Sequence, residues 1–288
     1  MAEVSAGDVK ALRDSTGAGM MDCKRALADA SGDVERAREL LRERGLAKAG
    51  KRAGRETSEG AVVFASDGGR GALIELGCET DFVAKTPDFQ QLAQSIAEAC
   101  LQAPGVAEAE QALALKLGGA TVDDVVKAAV AKVGENIQLK RVATVDVKGV
   151  VGGYVHGGGK LGVLVALETG LSGDAVEAVA KDVAMHVAAH DPTPIAVDRA
   201  DVPADVVEKE RRILTAQAQE SGKPANVIEK MVDGRMNKFF SENCLLAQGF
   251  VKDPDTKVRD LLAQTGKTAG GTIAVKSFVR FKLGEAAS

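Results

Sequence analysis

The side chains of this sequence that could do chemistry form three sets: a glycine-rich loop, a pair of histidines and four cysteines. Residues 157–160 read Gly-Gly-Gly-Lys, which is similar to the end of a phosphate-binding P-loop. A P-loop also needs Gly six residues before the Lys and Ser or Thr after it, but Tyr154 and Leu161 occupy those positions. We therefore predict a hairpin turn here, with a phosphate-binding enzyme as the alternative.

His186 and His190 are four residues apart, so a helix would place both imidazoles on one face, as in half of a zinc site. The residues between them lack the glutamate of H-E-x-x-H, and no third ligand is evident. We predict that both histidines pack within the fold and that their charge is favourable near the carboxyl end of a helix.

The cysteines are widely separated and form no C-x-x-C pair; they are Cys23, Cys78, Cys100 and Cys244. This spacing predicts neither a disulfide framework nor a zinc site and indicates reduced thiols in the cytosol. No G-x-S-x-G motif occurs, and no pairing of Cys with His is suggested by position. We therefore expect no enzymatic activity, no cofactor and no metal.

Charge and length narrow the classes of function. The 288 residues include 37 basic and 41 acidic side chains, for a formal net charge of −4. This charge disfavours direct binding of nucleic acid through phosphate neutralisation, and the length predicts two or three domains. Residues 1–7 lack a signal-peptide pattern, and no apolar run approaches the roughly 18 residues of a membrane span. We expect a cytoplasmic protein without membrane contact.

One loop carries an apolar side chain where polar turn residues are expected. A strand at residues 71–76 leads into residues 78–85, and a helix begins near Pro87. Phe82 lies between Asp81 and Val83 in this connection. Because connections run over the surface, Phe82 either folds back into the core or is presented to a partner. The local pattern leaves both interpretations open.

Residues 1–45 are predicted to form a three-helix domain. Ser5 and Asp33 are suitable helix caps, and Gly45 is the expected end of the third helix. Met20 and Met21 follow a Gly-rich turn, where they either fill the small core or form an exposed docking surface. Residues 46–58 are predicted to be a basic, solvated linker, with an RNA-associated adaptor as the alternative use of residues 48–55.

The middle of the chain contains an internal repeat. The strand at residues 71–76 is echoed at residues 162–167, and each copy follows a Gly-rich turn and precedes an amphipathic helix, at residues 89–101 and 175–189. The repeat predicts two related α+β subdomains with antiparallel sheets, at residues 59–148 and 149–200. Only the first copy has an extended connection at residues 80–85, which indicates that this connection serves function.

A helical hairpin is predicted at residues 201–246, with its turn at residues 221–224. The apolar stripe of its second helix comprises Ile228, Met231, Val232, Met236, Phe239 and Phe240. This stripe is either an internal seam or a dimer contact. Residues 247–288 are predicted to return to the second subdomain with a helix and a last strand.

Several ordered segments together resemble elongation factor Ts, the guanine-nucleotide exchange factor for elongation factor Tu. They are residues 16–24, 80–84, 133–137, 154–158, 184–189, 222–224, 250–254 and 278–281. The resemblance implies a UBA-like N-terminal module and a coiled coil at the hairpin. Family members with a C-terminal helical module continue past residue 283, whereas this chain stops at Ser288, so contacts of that module are not carried over.

The resemblance also implies the functional residues. Thr80, Asp81, Phe82 and Val83 would form the exchange segment, with Asp81 and Phe82 entering the nucleotide-binding domain of elongation factor Tu beside its magnesium site. The remaining partner-binding residues would be Leu12, Arg13, Met20, Met21, Lys24 and His156. A homodimer or a two-by-two complex with elongation factor Tu is left open.

Overall fold

The computed structural model of this chain describes residues 4–285, except for the side chains of Leu46, Lys48, Ala49 and Lys51. Residues 1–3 and 286–288 of the first and last predicted domains therefore lie outside the described residues, as do the two lysine side chains of the predicted linker. The described residues form an α+β fold with small antiparallel sheets, which confirms the predicted class. Within that span, no helix is long and apolar enough to cross a membrane.

Three helices form the N-terminal module: α1 (Ala6–Thr16), α2 (Met20–Asp29) and α3 (Val34–Arg52). Both predicted caps are present. Ser5 Oγ accepts a hydrogen bond from the backbone N–H of Asp8, and Asp33 Oδ1 accepts one from the N–H of Arg36. These bonds satisfy amide groups that have no partner inside the helices.

The prediction that the third helix ends at Gly45 is wrong, because α3 continues to Arg52. A Cβ added at Gly45 would lie only 2.8 Å from the Cβ of Ala131, which belongs to helix α7 (Val122–Val133). Gly45 therefore allows two helices to approach closely, and this packing outweighs the cost of Gly within a helix. The helix takes up most of the predicted linker, and only residues 53–58 connect it to the first strand.

The first subdomain is a three-stranded antiparallel sheet covered by helices. Its elements are β1 (Glu59–Asp67), β2 (Arg70–Cys78), α4 (Asp81–Ala84), α5 (Pro87–Leu101), α6 (Ala109–Leu113), β3 (Lys116–Leu117), β4 (Ala120–Thr121), α7 and β5 (Ile137–Asp146). The sheet has the order β1-β2-β5. Helix α5 packs on β1 and β2, so the apolar face of the sheet is buried.

The second subdomain repeats the hairpin and the helix. Its elements are β6 (Gly149–His156), β7 (Leu161–Glu168), α8 (Asp174–Ala189), β8 (Gly249–Phe250), β9 (Asp253–Lys257), α11 (Val258–Thr268) and β10 (Ala274–Lys282). The sheet has the order β10-β7-β6, so the predicted last strand returns to this sheet. The repeat is confirmed, and the short helix α4 has no counterpart between β7 and α8.

The two sheets pack against each other through apolar side chains, with Gly at the closest approach. Val62 and Leu73 of the first sheet share one buried cluster with Val151 and Leu164 of the second. A Cβ at Gly162 would lie 2.5 Å from Val62 Cγ1, so only Gly fits at this approach. The two subdomains consequently form one packed core.

The predicted hairpin consists of α9 (Ala204–Gln219) and α10 (Ala225–Asn243). Val232, Met236 and Phe240 of the apolar stripe are buried, and they pack with Leu214 and Ala218 of α9. The stripe is therefore an internal seam, which is the first of the two predicted alternatives. Homodimerisation stays a prediction.

Candidate functional site

Phe82 is the most exposed of the large apolar side chains among residues 4–285, at 81% of its full accessibility. It lies on α4, in what we call the Phe82 segment, residues 80–85. The interpretation of Phe82 as a core residue is therefore wrong. Val83, the next residue, packs half-buried against the core, so the single turn of helix directs the two side chains in different directions.

The carboxylate of Glu135 fixes the start of the Phe82 segment. Glu135 lies between α7 and β5. Its Oε1 accepts a hydrogen bond from Thr80 Oγ1 at 2.7 Å, and its Oε2 accepts one from the backbone N–H of Thr80 at 3.0 Å. Thr80 Oγ1 in turn accepts a bond from the N–H of Val83 at 3.4 Å, so Thr80 is also the N-cap of α4.

Cys78 also forms a hydrogen bond with Thr80. Its thiol donates to the carbonyl oxygen of Thr80 at 3.2 Å. Burial raises the pKa of Cys78 to about 11, so the sulfur keeps the proton that it donates. All four cysteines are free and buried.

A reciprocal contact ties the same two loops together. Glu79 Oε1 accepts a hydrogen bond from the backbone N–H of Asn136 at 2.6 Å. Asn136 Nδ2 donates to the carbonyl oxygen of Arg55 at 2.7 Å, so the end of the N-terminal connection joins the network. The residues before α4 and those after α7 are thus held by charge-assisted bonds in both directions.

Asp81 is paired within the Phe82 segment. Lys85 Nζ lies 2.6 Å from Asp81 Oδ2, one helical turn away. Both side chains are largely in solvent, and the hydrogen bond from Lys85 lowers the pKa of Asp81 below its usual value. Asp81 is therefore a carboxylate at neutral pH whose counter-ion is flexible and exposed.

The module surface, which we define as Arg13, Met20, Met21 and Lys24, is exposed on α1 and α2. Met20 and Met21 are 55% and 66% exposed, so they do not fill the small core of the module. Leu12 does not belong to this surface. It is 1% exposed and lies in the module core, so its side chain supports the module and offers a partner no surface.

The end of α7 connects the module surface with the Phe82 segment. The side chain of Lys132 packs against Gly17, in the turn that leads to Met20, because a Cβ at Gly17 would lie 2.8 Å from Lys132 Cε. Lys132 Nζ is also 2.7 Å from Asp88 Oδ2, at the start of α5. Three residues beyond Lys132 is Glu135, which holds the Phe82 segment. The turn before Met20 and the base of the Phe82 segment therefore both contact the end of α7.

Other chemistry suggested by the sequence is not assembled. Residues 157–160 form the hairpin turn between β6 and β7, with positive φ at all three glycines, whereas a P-loop leads from a strand into a helix. The hairpin interpretation is confirmed. Among residues 4–285, no group of three His, Cys, Asp or Glu side chains is placed to hold a metal ion.

The histidine pair packs as predicted, but the expected charge is wrong for His186. His186 is buried, its Nε2 lies 2.9 Å from Gln248 Oε1, and its Nδ1 accepts a bond from the N–H of Val251 at 3.1 Å. Burial lowers the pKa of His186 to about 4, so the ring is neutral. It contributes hydrogen bonds to the base of the hairpin and no favourable charge to the helix end.

Comparison with known proteins agrees with this arrangement. The family model described as Elongation factor TS matches residues 79–285. The chain belongs to the elongation factor Ts family. Elongation factor Ts of Sphingopyxis alaskensis is 48% identical over 99% of this chain and 94% of its own length. Those of Chlorobium phaeobacteroides and Aquifex aeolicus are 47% and 44% identical, over 100% and 98% of their lengths. Membership makes this chain a translation elongation factor.

In this elongation factor Ts family member, His156 belongs to the second subdomain, whereas the Phe82 segment belongs to the first. It is exposed at the end of β6, and its Nδ1 lies 3.0 Å from the hydroxyl of Tyr154. The turn that follows is tied to the first subdomain, because the N–H of Val62 on β1 donates to the carbonyl oxygen of Gly159 at 2.7 Å. His156 therefore has a fixed position relative to the first sheet.

Sequence reasoning missed Glu79 and Glu135, whose hydrogen bonds fix the base of the Phe82 segment. Glu135 is 55 residues from Thr80, and nothing in local periodicity connects the two. The signal in the sequence is an acidic residue at the break after α7, within residues 133–137.

Proposed function

We propose that this elongation factor Ts family member is the guanine-nucleotide exchange factor of elongation factor Tu and acts in the cytoplasm without making or breaking a covalent bond. The observation that carries the proposal is Phe82. A phenylalanine 81% exposed on a helix of four residues, with its base held by Glu135, serves no purpose in the isolated fold. It is suited to enter a partner.

The proposed mechanism acts on the magnesium ion of the partner. Magnesium bridges the nucleotide phosphates to a GTPase, so displacing the elements that position its ligands weakens nucleotide binding. In the proposed complex, Phe82 inserts between such elements and the carboxylate of Asp81 approaches the ion. GDP leaves, and the vacated site then takes up GTP.

The magnitude available to Phe82 is limited. Burying a phenylalanine side chain is worth roughly 1.5 to 3 kcal/mol, and each 1.4 kcal/mol corresponds to about tenfold in a rate or an equilibrium. Phe82 alone therefore supplies about ten- to a hundredfold. Greater acceleration requires the rest of the interface to favour the nucleotide-free partner, because only differential affinity shifts an equilibrium.

The remaining interface is proposed to comprise the module surface and His156. The module surface would dock on the nucleotide-binding domain, since exposed methionines adapt to an apolar partner. His156 would contact another domain of the same partner from the second subdomain. The stoichiometry of this complex, one-to-one or two-by-two, is part of the proposal to be measured.

The test is release of fluorescent GDP from elongation factor Tu in excess unlabelled GDP. Wild type, Phe82→Ala and no added protein are compared, and Ile195→Ala serves as the matched control, because Ile195 is an exposed apolar residue of the second subdomain at 48%. We expect strong acceleration by wild type and Ile195→Ala, and a loss of about ten- to a hundredfold with Phe82→Ala.

Two outcomes would count against the proposal at different levels. Full acceleration by Phe82→Ala would retain the exchange function and refute insertion of Phe82 as its cause. Release at the unassisted rate in the presence of wild type would refute the exchange function itself.

A further inference from the structure

Helix α4 is too short to fix its own geometry. Four residues make barely one turn, and a single turn is unstable without external contacts. The side chain of Phe82 points to solvent and contributes no packing. The orientation of Phe82 therefore depends on what holds the segment: the packing of Val83 and Ala84 against the core, and the hydrogen bonds at Thr80.

The polar contacts that hold the segment are at Thr80. One carboxylate, that of Glu135, accepts both the hydroxyl and the backbone N–H of Thr80, at 2.7 and 3.0 Å. Both residues are half-buried, so water competes less for these bonds than it does at the surface. Hydrogen bonds to a carboxylate are also stronger than hydrogen bonds to a neutral acceptor.

A group that displaces part of a partner must itself resist displacement. When Phe82 is pushed into a packed protein, the opposing force is transmitted through one turn of helix to Thr80. If Thr80 yields, the segment swings aside and the partner keeps its shape. If Thr80 holds, the partner moves.

We propose that Glu135 is a positioning residue for nucleotide exchange, holding Thr80 so that insertion of Phe82 displaces the partner and not the segment. This inference rests on the proposed function. Glu135 touches neither nucleotide nor partner in this role, and it acts only through Thr80.

The position of Glu135 adds a second consequence. Lys132, three residues earlier, packs against Gly17 of the module and pairs with Asp88 at the start of α5. A module docked through its exposed surface therefore bears on the same helix end that holds Thr80. Docking and insertion are connected by residues 132–136.

Helix α7 offers a matched control at its other end. The carboxylate of Asp124 accepts the hydroxyl and the backbone N–H of Thr121 at 2.8 and 3.2 Å, which is the same pairing of a threonine with one carboxylate. Thr121 is in no segment assigned to the partner. Asp124→Ala therefore removes a comparable contact without touching the Phe82 segment.

The experiment measures GDP release from elongation factor Tu over a range of factor concentrations. Glu135→Ala is expected to lower the maximal rate about tenfold, which corresponds to about 1.4 kcal/mol, and to change the half-saturating concentration by less than about threefold. The module surface and His156 are intact in this variant, so docking persists. Asp124→Ala is expected to leave both quantities unchanged.

Variants at Thr80 separate positioning from general loss of structure. Thr80→Ser keeps both donors and is expected to lose less of the maximal rate than Thr80→Val, which keeps only the N–H. Thr80→Val and Glu135→Ala both remove the bond between the Thr80 hydroxyl and Glu135, and Thr80→Val also removes the N-cap bond to Val83. The double variant is therefore expected to lose less of the maximal rate than the product of the two single losses. Circular dichroism and thermal melting check that each variant is folded.

An unchanged maximal rate in Glu135→Ala, with active wild type, would overturn this inference and leave the exchange function standing. An equal loss in Asp124→Ala, or additive losses in the double variant, would also overturn it, because the effect would then be general destabilisation. Inactive wild type would refute the proposed function, and this inference with it.

Discussion

A buried ion pair in the middle of the first sheet also contacts the second subdomain. Glu75 on β2 is 1% exposed, and its Oε2 accepts a hydrogen bond from Arg141 Nε of β5 at 2.6 Å. Arg141 also donates to the carbonyl oxygen of Lys282 at 2.7 Å, and its guanidinium lies 4.4 Å from the ring centre of Phe281. Both of these contacts are with β10 and its end, in the second subdomain.

Removing one member of this pair leaves a charge buried without its counter-ion. Breaking a buried pair in this way costs about 3–5 kcal/mol, whereas replacing both members by apolar side chains of similar size is often nearly neutral. Arg141→Met is therefore expected to lower the free energy of unfolding by about 3–5 kcal/mol, since Glu75 has almost no access to water. Glu75→Gln keeps a polar side chain of the same shape, so its cost should fall near 3 kcal/mol.

Urea denaturation, followed by both circular dichroism and fluorescence of a site-specific label, measures these changes when the two transitions coincide. The double variant Glu75→Leu/Arg141→Met is expected to be more stable than Arg141→Met alone. Single-variant costs below about 1 kcal/mol, or a double variant that loses the sum of both, would refute the reasoning, because the pair would then not be an isolated, desolvated contact.

Three further perturbations test other parts of the structure. Stability measured by urea denaturation should fall by about 2 kcal/mol as pH drops from 6.5 to 4, because the pKa of His186 is lowered to about 4 in the folded state and the unfolded state takes up the proton first; the fall should be smaller in His186→Gln. Lys85→Met should raise the GDP release rate about twofold, because it frees the carboxylate of Asp81 from its ion pair. Lys127→Met removes another exposed ion pair with the same 2.6 Å separation and should leave the GDP release rate unchanged. Gly45→Val should lower the melting temperature and speed proteolysis of α3, because its side chain would collide with the neighbouring helix. Gly50→Ala should raise the melting temperature, because the added Cβ meets nothing within 4 Å and Ala is the better helix former.

Elements with a clear repeat in their side chains could be predicted from the sequence. Helix α5 has a period of 3.6 residues over enough length to be recognised, strand β2 is a continuous apolar run of strand length, and the duplicated hairpins reinforce each other. The two-residue strands β3 and β4 and the five-residue helix α6 are too short to show a period. They depend on packing against neighbours that are distant in sequence.

The candidate site, like the fold, could be predicted only in part from the sequence. The local sequence marks Phe82 as unusual but does not decide its exposure, since an apolar residue in a connection suits both the core and a contact surface. Gly45 reads locally as a helix stop, and only the approach of Ala131 explains why the helix continues. The contact between Glu135 and Thr80 is a tertiary one, so it appears only when the fold brings the two loops together.

The most direct measurement compares the affinity of this protein for nucleotide-free elongation factor Tu with its affinity for the GDP-bound form, by isothermal titration calorimetry at the same magnesium concentration. An exchange factor must bind the nucleotide-free state more tightly, because binding of the factor and binding of GDP weaken each other by the same factor. We predict a preference of at least about tenfold for the nucleotide-free form, which is the lower limit estimated for Phe82. Equal affinity for the two forms would contradict the account, since a ligand that binds both states equally shifts neither.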